Sequence, residues 1–404
     1  MIHSSLKAQK EPVSVFETSR HTLTNSKYIY MSMMLGIINP LYSIRSCTNR
    51  SGFLWIKKGV AALILVFTLS THGSAGNPDR QGEAGAGELL LIPWAKSAGM
   101  NNIATSMIRG IESMRLNVAG LSGIQGTDVA LGHTRYLQGT DININALGVG
   151  QRVGKNSVLA LSLVAMDFGE IDITTVDQPE GIGATYSPNF FNLGVGYAYT
   201  YENKISVGFA LRLISQSISD LSAMGVALDA GVQYVNGPQD NFKFGVSIRN
   251  IGTPMRFGGE GLATRSDNPT GSPTYELTYD QRAASFELPS LLNIGLSYDF
   301  YMQTIHRLSL VGNFTSHSFS RDEVGAGMEY SYRDLLYVRG GYKVQVGNTA
   351  TGSSAQSVYE GLSVGMGIYM PLGREVEKKL GIDYAYRTTH PWNGTHNLTL
   401  TLRL

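Results

Sequence analysis

Cysteine is almost missing from this chain of 404 residues, which carries only Cys47. That residue lies upstream of the expected mature start, so disulfides, cysteine-ligated metals and a cysteine nucleophile are excluded for the mature protein. Net charge is missing as well. The 32 Lys and Arg residues nearly cancel 31 Asp and Glu, and nothing global points to nucleic acid or an anionic surface as partner. The apolar run at 60–69 covers about ten residues, too few to cross roughly 30 Å of hydrocarbon as a helix. Histidines are scattered, and His133, His306, His317, His390 and His396 never take a metal-ligand spacing with a second histidine.

What the chain has instead is alternation. It ends in Asn397-Leu398-Thr399-Leu400-Thr401-Leu402-Arg403-Leu404, with leucine at every second position. A strand with one wholly apolar face at the C-terminus suits the closing strand of an outer-membrane barrel, formed here by Leu398, Leu400, Leu402 and Leu404. The same period of two dominates from Thr127 onward. It predicts fourteen strands at 127–137, 140–152, 156–170, 188–201, 203–217, 222–235, 241–252, 285–301, 304–316, 321–333, 334–346, 357–371, 377–388 and 394–404. An even number is what single-chain bacterial barrels require. The long connections, 171–187, 253–284 and 347–356, all follow odd-numbered strands, whereas turns such as Glu202-Asn203-Lys204 follow even ones. Long extracellular loops and short periplasmic turns give that parity, with both termini in the periplasm. The 47 glycines and 21 tyrosines fit crowded strands and interfacial aromatic girdles, and a mean hydropathy near zero is expected when lumen residues dilute lipid-facing ones. The fold class is therefore all-β, a transmembrane antiparallel barrel in the outer membrane over 127–404.

Upstream, Lys57 and Lys58, the apolar run and the small residues through Ala75 follow the grammar of a secretory signal. The expected signal peptide is 56–75, cleaved between Ala75 and Gly76; an uncleaved anchor is disfavoured by length. Residues 1–55 show no period and are expected to be a non-structural extension, with translation starting near Leu54. Residues 76–126 begin with a flexible Gly/Ala/Glu stretch and then show helical spacing through Ile103, Met107, Ile111 and Met114. Irregular backbone cannot lie in lipid, so this segment either sits in the periplasm or plugs the lumen. A fourteen-strand lumen is wide enough to favour a plug.

Two groups of residues here carry a resemblance. Ala98-Gly99-Met100, followed by Asn117-Val118-Ala119-Gly120-Leu121, resembles the N-terminal hatch of the FadL-like barrels, whose pattern is AGM, about sixteen residues, then NPAGL. His133-Thr134-Arg135-Tyr136-Leu137, Asp167-Phe168-Gly169-Glu170-Ile171 with Gln178-Pro179-Glu180-Gly181, and Ser247-Ile248-Arg249-Asn250-Ile251-Gly252-Thr253-Pro254-Met255-Arg256-Phe257 narrow it to the PorV/PorQ branch. The resemblance covers about 83–404. Val118 replaces the usual proline, Arg109-Gly110 stands where the family has an acidic pair, and Leu404 ends the chain where barrels usually carry an aromatic. The resemblance implies a fourteen-strand barrel with a hatch formed around Ala98, Gly99, Met100, Asn117, Ala119, Gly120 and Leu121. It also implies a part in type IX secretion, in which cargo bearing a C-terminal sorting domain is received and passed to the cell-surface attachment machinery. The more distant FadL-like members carry long-chain fatty acids and other hydrophobic molecules inward.

No catalytic constellation stands out, and the protein is expected to be neither an enzyme nor a holder of a cofactor. His390 and His396 flank the last loop without an evident nucleophile, with Ser318 and Asp322 the candidates from a neighbouring loop. Gly361-Leu362-Ser363-Val364-Gly365-Met366-Gly367 lies within a strand with no helix behind it, so small residues relieving crowding explain it better than a phosphate cradle. The glycan acceptor patterns at Asn313, Asn393 and Asn397 are read as chance. By parity, Asp229, Arg212, Lys243, Arg249, Glu329, Arg339, Asp383 and Arg387 face the lumen. They form either a plug-holding network or a selectivity filter, and the mixed signs favour the network. Loop 253–284 offers Met255, Arg256, Phe257, Tyr275 and Tyr279 as candidate protein contacts or as a lid over the mouth.

Overall fold

The computed structural model describes residues 76–268, 275–303, 305–346, 358, 361–373, 378–390 and 392–404. The expected extension 1–55, the signal 56–75 with Ala75, and the loop 347–356 lie outside the described residues.

Fourteen strands form a closed antiparallel barrel in sequence order. They are β1 (Thr127–Arg135), β2 (Asn143–Arg152), β3 (Ser157–Asp167), β4 (Asn189–Tyr201), β5 (Ile205–Ile218), β6 (Leu221–Asn236) and β7 (Phe242–Gly252). The second half comprises β8 (Leu291–Met302), β9 (His306–His317), β10 (Glu323–Tyr332), β11 (Leu336–Gln345), β12 (Gly361–Pro371), β13 (Lys379–Arg387) and β14 (Thr395–Arg403). Closure comes from β1 pairing with β14, where Leu131 faces Leu400 and His133 faces Leu398. Each predicted strand has its counterpart. The largest boundary difference is at β8, expected from 285 but beginning at Leu291. Ser285–Phe286 pairs with Met255–Arg256 instead. Pro289 explains the break, since it cannot donate to a ladder and its ring bends the chain before the strand.

Alternation sorts the side chains. Leu131, Val195, Phe209, Leu211, Leu228, Met366 and Leu398 are exposed on the outer wall, while their neighbours in sequence point inward and are buried. A closed sheet has no free edge and satisfies every ladder hydrogen bond internally, so an apolar outer face belongs in lipid. No described helix is long and apolar enough to cross a membrane. The short connections after even strands turn through left-handed residues, such as Glu202 and Asn203 (φ 47° and 56°) and Arg333 and Asp334 (φ 53° and 51°). Two long connections add small hairpins, Ile171–Asp172 with Thr185–Tyr186 and Ala263–Asp267 with Glu276–Asp280.

Residues 76–126 occupy the lumen. They enter at the long-loop end, where Arg80 lies over Phe319 of the β9–β10 connection and Ala84 bridges to Glu287. The segment then descends to the short-turn end, where Gly126 meets Leu404 and β1 begins. Only one turn is α-helical, α1 (Ala95–Ala98); 3-10 turns follow at Ile111–Arg115 and Val118–Gly123. The helical spacing expected through Ile103, Met107, Ile111 and Met114 is therefore corrected. All four are buried, but Gly110, at φ 92°, breaks the run, and the packing comes from a folded-over turn chain. Ile103, Ile108, Ile111, Met114 and Leu121 pack with Ala130, Ala146, Ala160 and Ala198 of the inner wall into one apolar core.

Candidate functional site: a plugged lumen and its rim

The hatch residues sit where the plug touches the wall. Ala98 follows Ala95, whose N–H donates to Thr399 Oγ1 at 2.9 Å. Gly99 passes so close to β12 that a Cβ on it would lie 2.9 Å from the Gly365 Cα. This is the crowding that the glycine-rich stretch of that strand relieves. Met100 is buried against Gly341. Asn117 closes the second half of the motif. Its Oδ1 accepts from the Ala119 N–H at 3.2 Å, capping the 3-10 turn, and its Nδ2 donates to Thr105 O at 3.0 Å and Val232 O at 3.2 Å. Ala119 and Leu121 are buried, and a Cβ on Gly120 would run into the Ile108 carbonyl. Val118 is buried as well.

Every charged side chain expected to face the lumen is buried. Arg212 pairs with Asp229, whose other oxygen accepts from the Asn250 N–H at 2.7 Å, beside the irregularity in the β6–β7 ladder. Arg249 donates to Leu89 O at 3.1 Å, and Arg212 to Met114 O, so the wall's guanidiniums satisfy plug carbonyls. On the opposite side Arg339 bridges Glu329 at 2.7 Å and also pairs with Asp383, which accepts from the Tyr369 hydroxyl. Lys243 pairs with Asp299, and Glu323 with Lys343 at 2.8 Å.

Sequence reasoning missed the plug's own charges. Arg115 donates to Glu88 O at 3.2 Å and Leu91 O at 3.0 Å, and Glu88 accepts from Gln216 at 2.7 Å. It also missed the role of the polar face of β14. There Asn397 donates to Thr134 Oγ1 at 2.6 Å and to Pro93 O at 3.3 Å, so the seam that closes the barrel also grips the plug. The Asn, Thr and Thr between the terminal leucines were the available signal.

The rim residues divide. Met255 is fully buried with Ala86, Leu89 and Leu288, and Phe257 packs on Phe286 at a centroid distance of 5.8 Å. Met255 is thereby corrected as a surface contact, because the loop folds it down onto the plug, while Phe257 stays half-buried. Arg256, Tyr275 and Tyr279 remain exposed. Of the scattered candidates for chemistry, His396 bonds the Tyr384 hydroxyl at 2.7 Å and Gln138 at 3.2 Å, while Ser318 bonds Ser290 at 2.9 Å.

No family profile and no curated protein sequence matches the chain. Among solved structures it is similar to the toluene transporter TodX of Pseudomonas putida, at 12% identity over 76% of this chain and 95% of that one, with a TM-score of 0.47. It is similar also to a Pseudomonas aeruginosa FadL homologue, at 10% identity over 77% and 98% of the chains, TM-score 0.42. A third is the Acinetobacter baumannii outer membrane protein Omp33, at 7% identity over 69% and 98%, TM-score 0.34.

Proposed function

We propose that this barrel is an integral outer-membrane protein of the PorV/PorQ type, exported by a signal peptide. In this reading it holds secreted cargo at the cell surface and passes it to the type IX attachment machinery, and it is not an enzyme. The observation that carries the reading is the contrast between a filled lumen and a built-up rim. Plug and wall are joined by buried carbonyl–guanidinium and amide contacts on several sides. The long loops meanwhile carry their own hairpins and the exposed Tyr275 and Tyr279. A protein that handles other proteins works from such a rim. Pull-down from native outer membranes tests this: a cargo C-terminal domain should copurify with the detergent-extracted barrel, and its absence from every eluate rejects the reading.

A second reading, a FadL-like carrier of hydrophobic small molecules, draws on one feature. Leu91, Ile144, Val164, Met166 and Phe190 line an apolar crevice beside Arg115, whose Nε and Nη1 lack partners. Its free space is only about 10 Å³, so a ligand would have to move the plug. Loss of hydrophobic-substrate uptake in a deletion strain supports this reading over the first.

A further inference from the structure

Two cavities flank Arg109 and Gly123 at the short-turn end, with volumes of about 300 and 190 Å³. The larger is lined by Lys96, Arg109, Lys243, Arg307 and Arg403, against the carboxylates of Asp240 and Glu329. The smaller adds Arg152 and Lys155 and no acid.

Several of these cations already have partners. Lys243 pairs with Asp299, and Arg307 lies 3.3 Å from Glu329 and 3.6 Å from Asp334. Arg403 pairs with Asp128 at 3.8 Å. Others do not. Arg152 donates to the neutral carbonyls of Ile124 at 2.9 Å and Ser122 at 3.4 Å. Lys96, Arg109 and Lys155 have no carboxylate within ion-pair distance among the described residues. Burial, then the Arg403 and Arg339 guanidiniums, lower the Lys96 ammonium to about 8 against the opposing Glu329 and Glu112 carboxylates.

We propose that this mouth of the barrel is a binding site for a compact phosphorylated anion. Unneutralised cations in a concave, low-dielectric setting focus a positive potential and concentrate anions. Guanidinium forks match phosphoryl oxygens in pairs; Arg109 lines both cavities, with Arg403 beside it in the larger and Arg152 in the smaller. Tyr301, Tyr337 and Gln239 line the same space with further polar groups. The volume suits a ligand of diphosphate or sugar-phosphate size. An extended peptide is a poorer fit, because every barrel strand is already paired on both edges and offers no free ladder for backbone bonding. The site lies on the periplasmic side if the outer-membrane reading holds, but its chemistry does not depend on the cargo role.

Calorimetric titration of pyrophosphate into the detergent-solubilised protein at low salt tests the assignment, with citrate as the carboxylate arm. The expected result is saturable binding of pyrophosphate, tighter than of citrate and weakened by salt. Arg109→Gln with Lys96→Gln should weaken it by about tenfold or more, the loss of charge-assisted hydrogen bonds. Arg282→Gln, at an exposed loop position of the other end, should leave it unchanged. No saturable heat, equal weakening by all variants, or tighter citrate than pyrophosphate binding overturns the proposal. Because Arg109 is exposed, Arg109→Gln alone serves if the double variant loses the compact barrel form on unheated gels.

Discussion

Asp229 shares its two oxygens between the Arg212 guanidinium and the Asn250 N–H, and Arg249 is buried nearby. Removing one member of such a group leaves cations uncompensated in a water-poor interior, at a cost of about 3–5 kcal/mol. Asp229→Ala should therefore lower the urea midpoint of the folded barrel sharply, and Arg212→Met in the same chain should recover much of the loss. A second residue links the plug to pH. Burial, then the Asp383 carboxylate, raise the Glu112 carboxyl from its ordinary 4.5 to about 7. The folded state thus holds this proton more tightly than the unfolded chain, so its contribution to stability is complete below about pH 4.5 and is lost as pH rises through about 7. Thermal midpoints should fall between pH 5 and 8 in the native protein, and Glu112→Gln, which fixes the neutral form, should flatten that fall. Wall charges such as Asp229 and Arg339 were legible in the sequence because strand parity assigns them a side. Glu88, Lys96, Glu112 and Arg115 were not, because the plug has no period from which to read a direction.

Elements with a strict period were the most legible. Each of the fourteen strands could be placed because a shift of one residue would turn a whole apolar face into the lumen. The failure at 285–290 has a local cause, since Leu288 is buried beneath the loop and Pro289 ends any ladder there. The plug was legible as a segment but not as a shape, because one-turn helices and 3-10 turns leave little periodic trace. The closing strand offers a direct test of side assignment. Leu400 is 40% exposed on the outer wall, while Thr399 beside it is fully buried against α1. Leu400→Arg puts a charge into hydrocarbon, at about 2–4 kcal/mol near mid-depth. Insertion into liposomes should drop for Leu400→Arg, whereas Leu400→Phe should insert as the native chain does. Equal insertion of both would mean that this face does not meet lipid.

At the scale of the whole molecule, the described chain begins and ends at opposite ends of the barrel. Asn77 donates its backbone N–H to His317 O at 3.4 Å beside the long loops, whereas Leu404 exchanges backbone bonds with Thr127 at the short-turn end. Loop parity predicts both termini on one side, in the periplasm. The route of 76–126 through the lumen carries the start of the described segment to the other side, which no periodicity could reveal. Cys47 is the chain's only cysteine, so single cysteines introduced after residue 75 can report sidedness without background once the expected signal is removed. Cysteines replacing Asn77 in the plug or Asp177 in the β3–β4 loop should react with a membrane-impermeant maleimide on intact cells. Replacements of Asn203 or Gln239, in turns at the other end, should react only after the outer membrane is permeabilised. If Asn77 labels with the turn pair instead, the plug enters from the periplasm and the rim surface loses its N-terminal strap. If Asp177 stays silent on intact cells, the long loops do not face outward and a surface role in handling cargo falls with them.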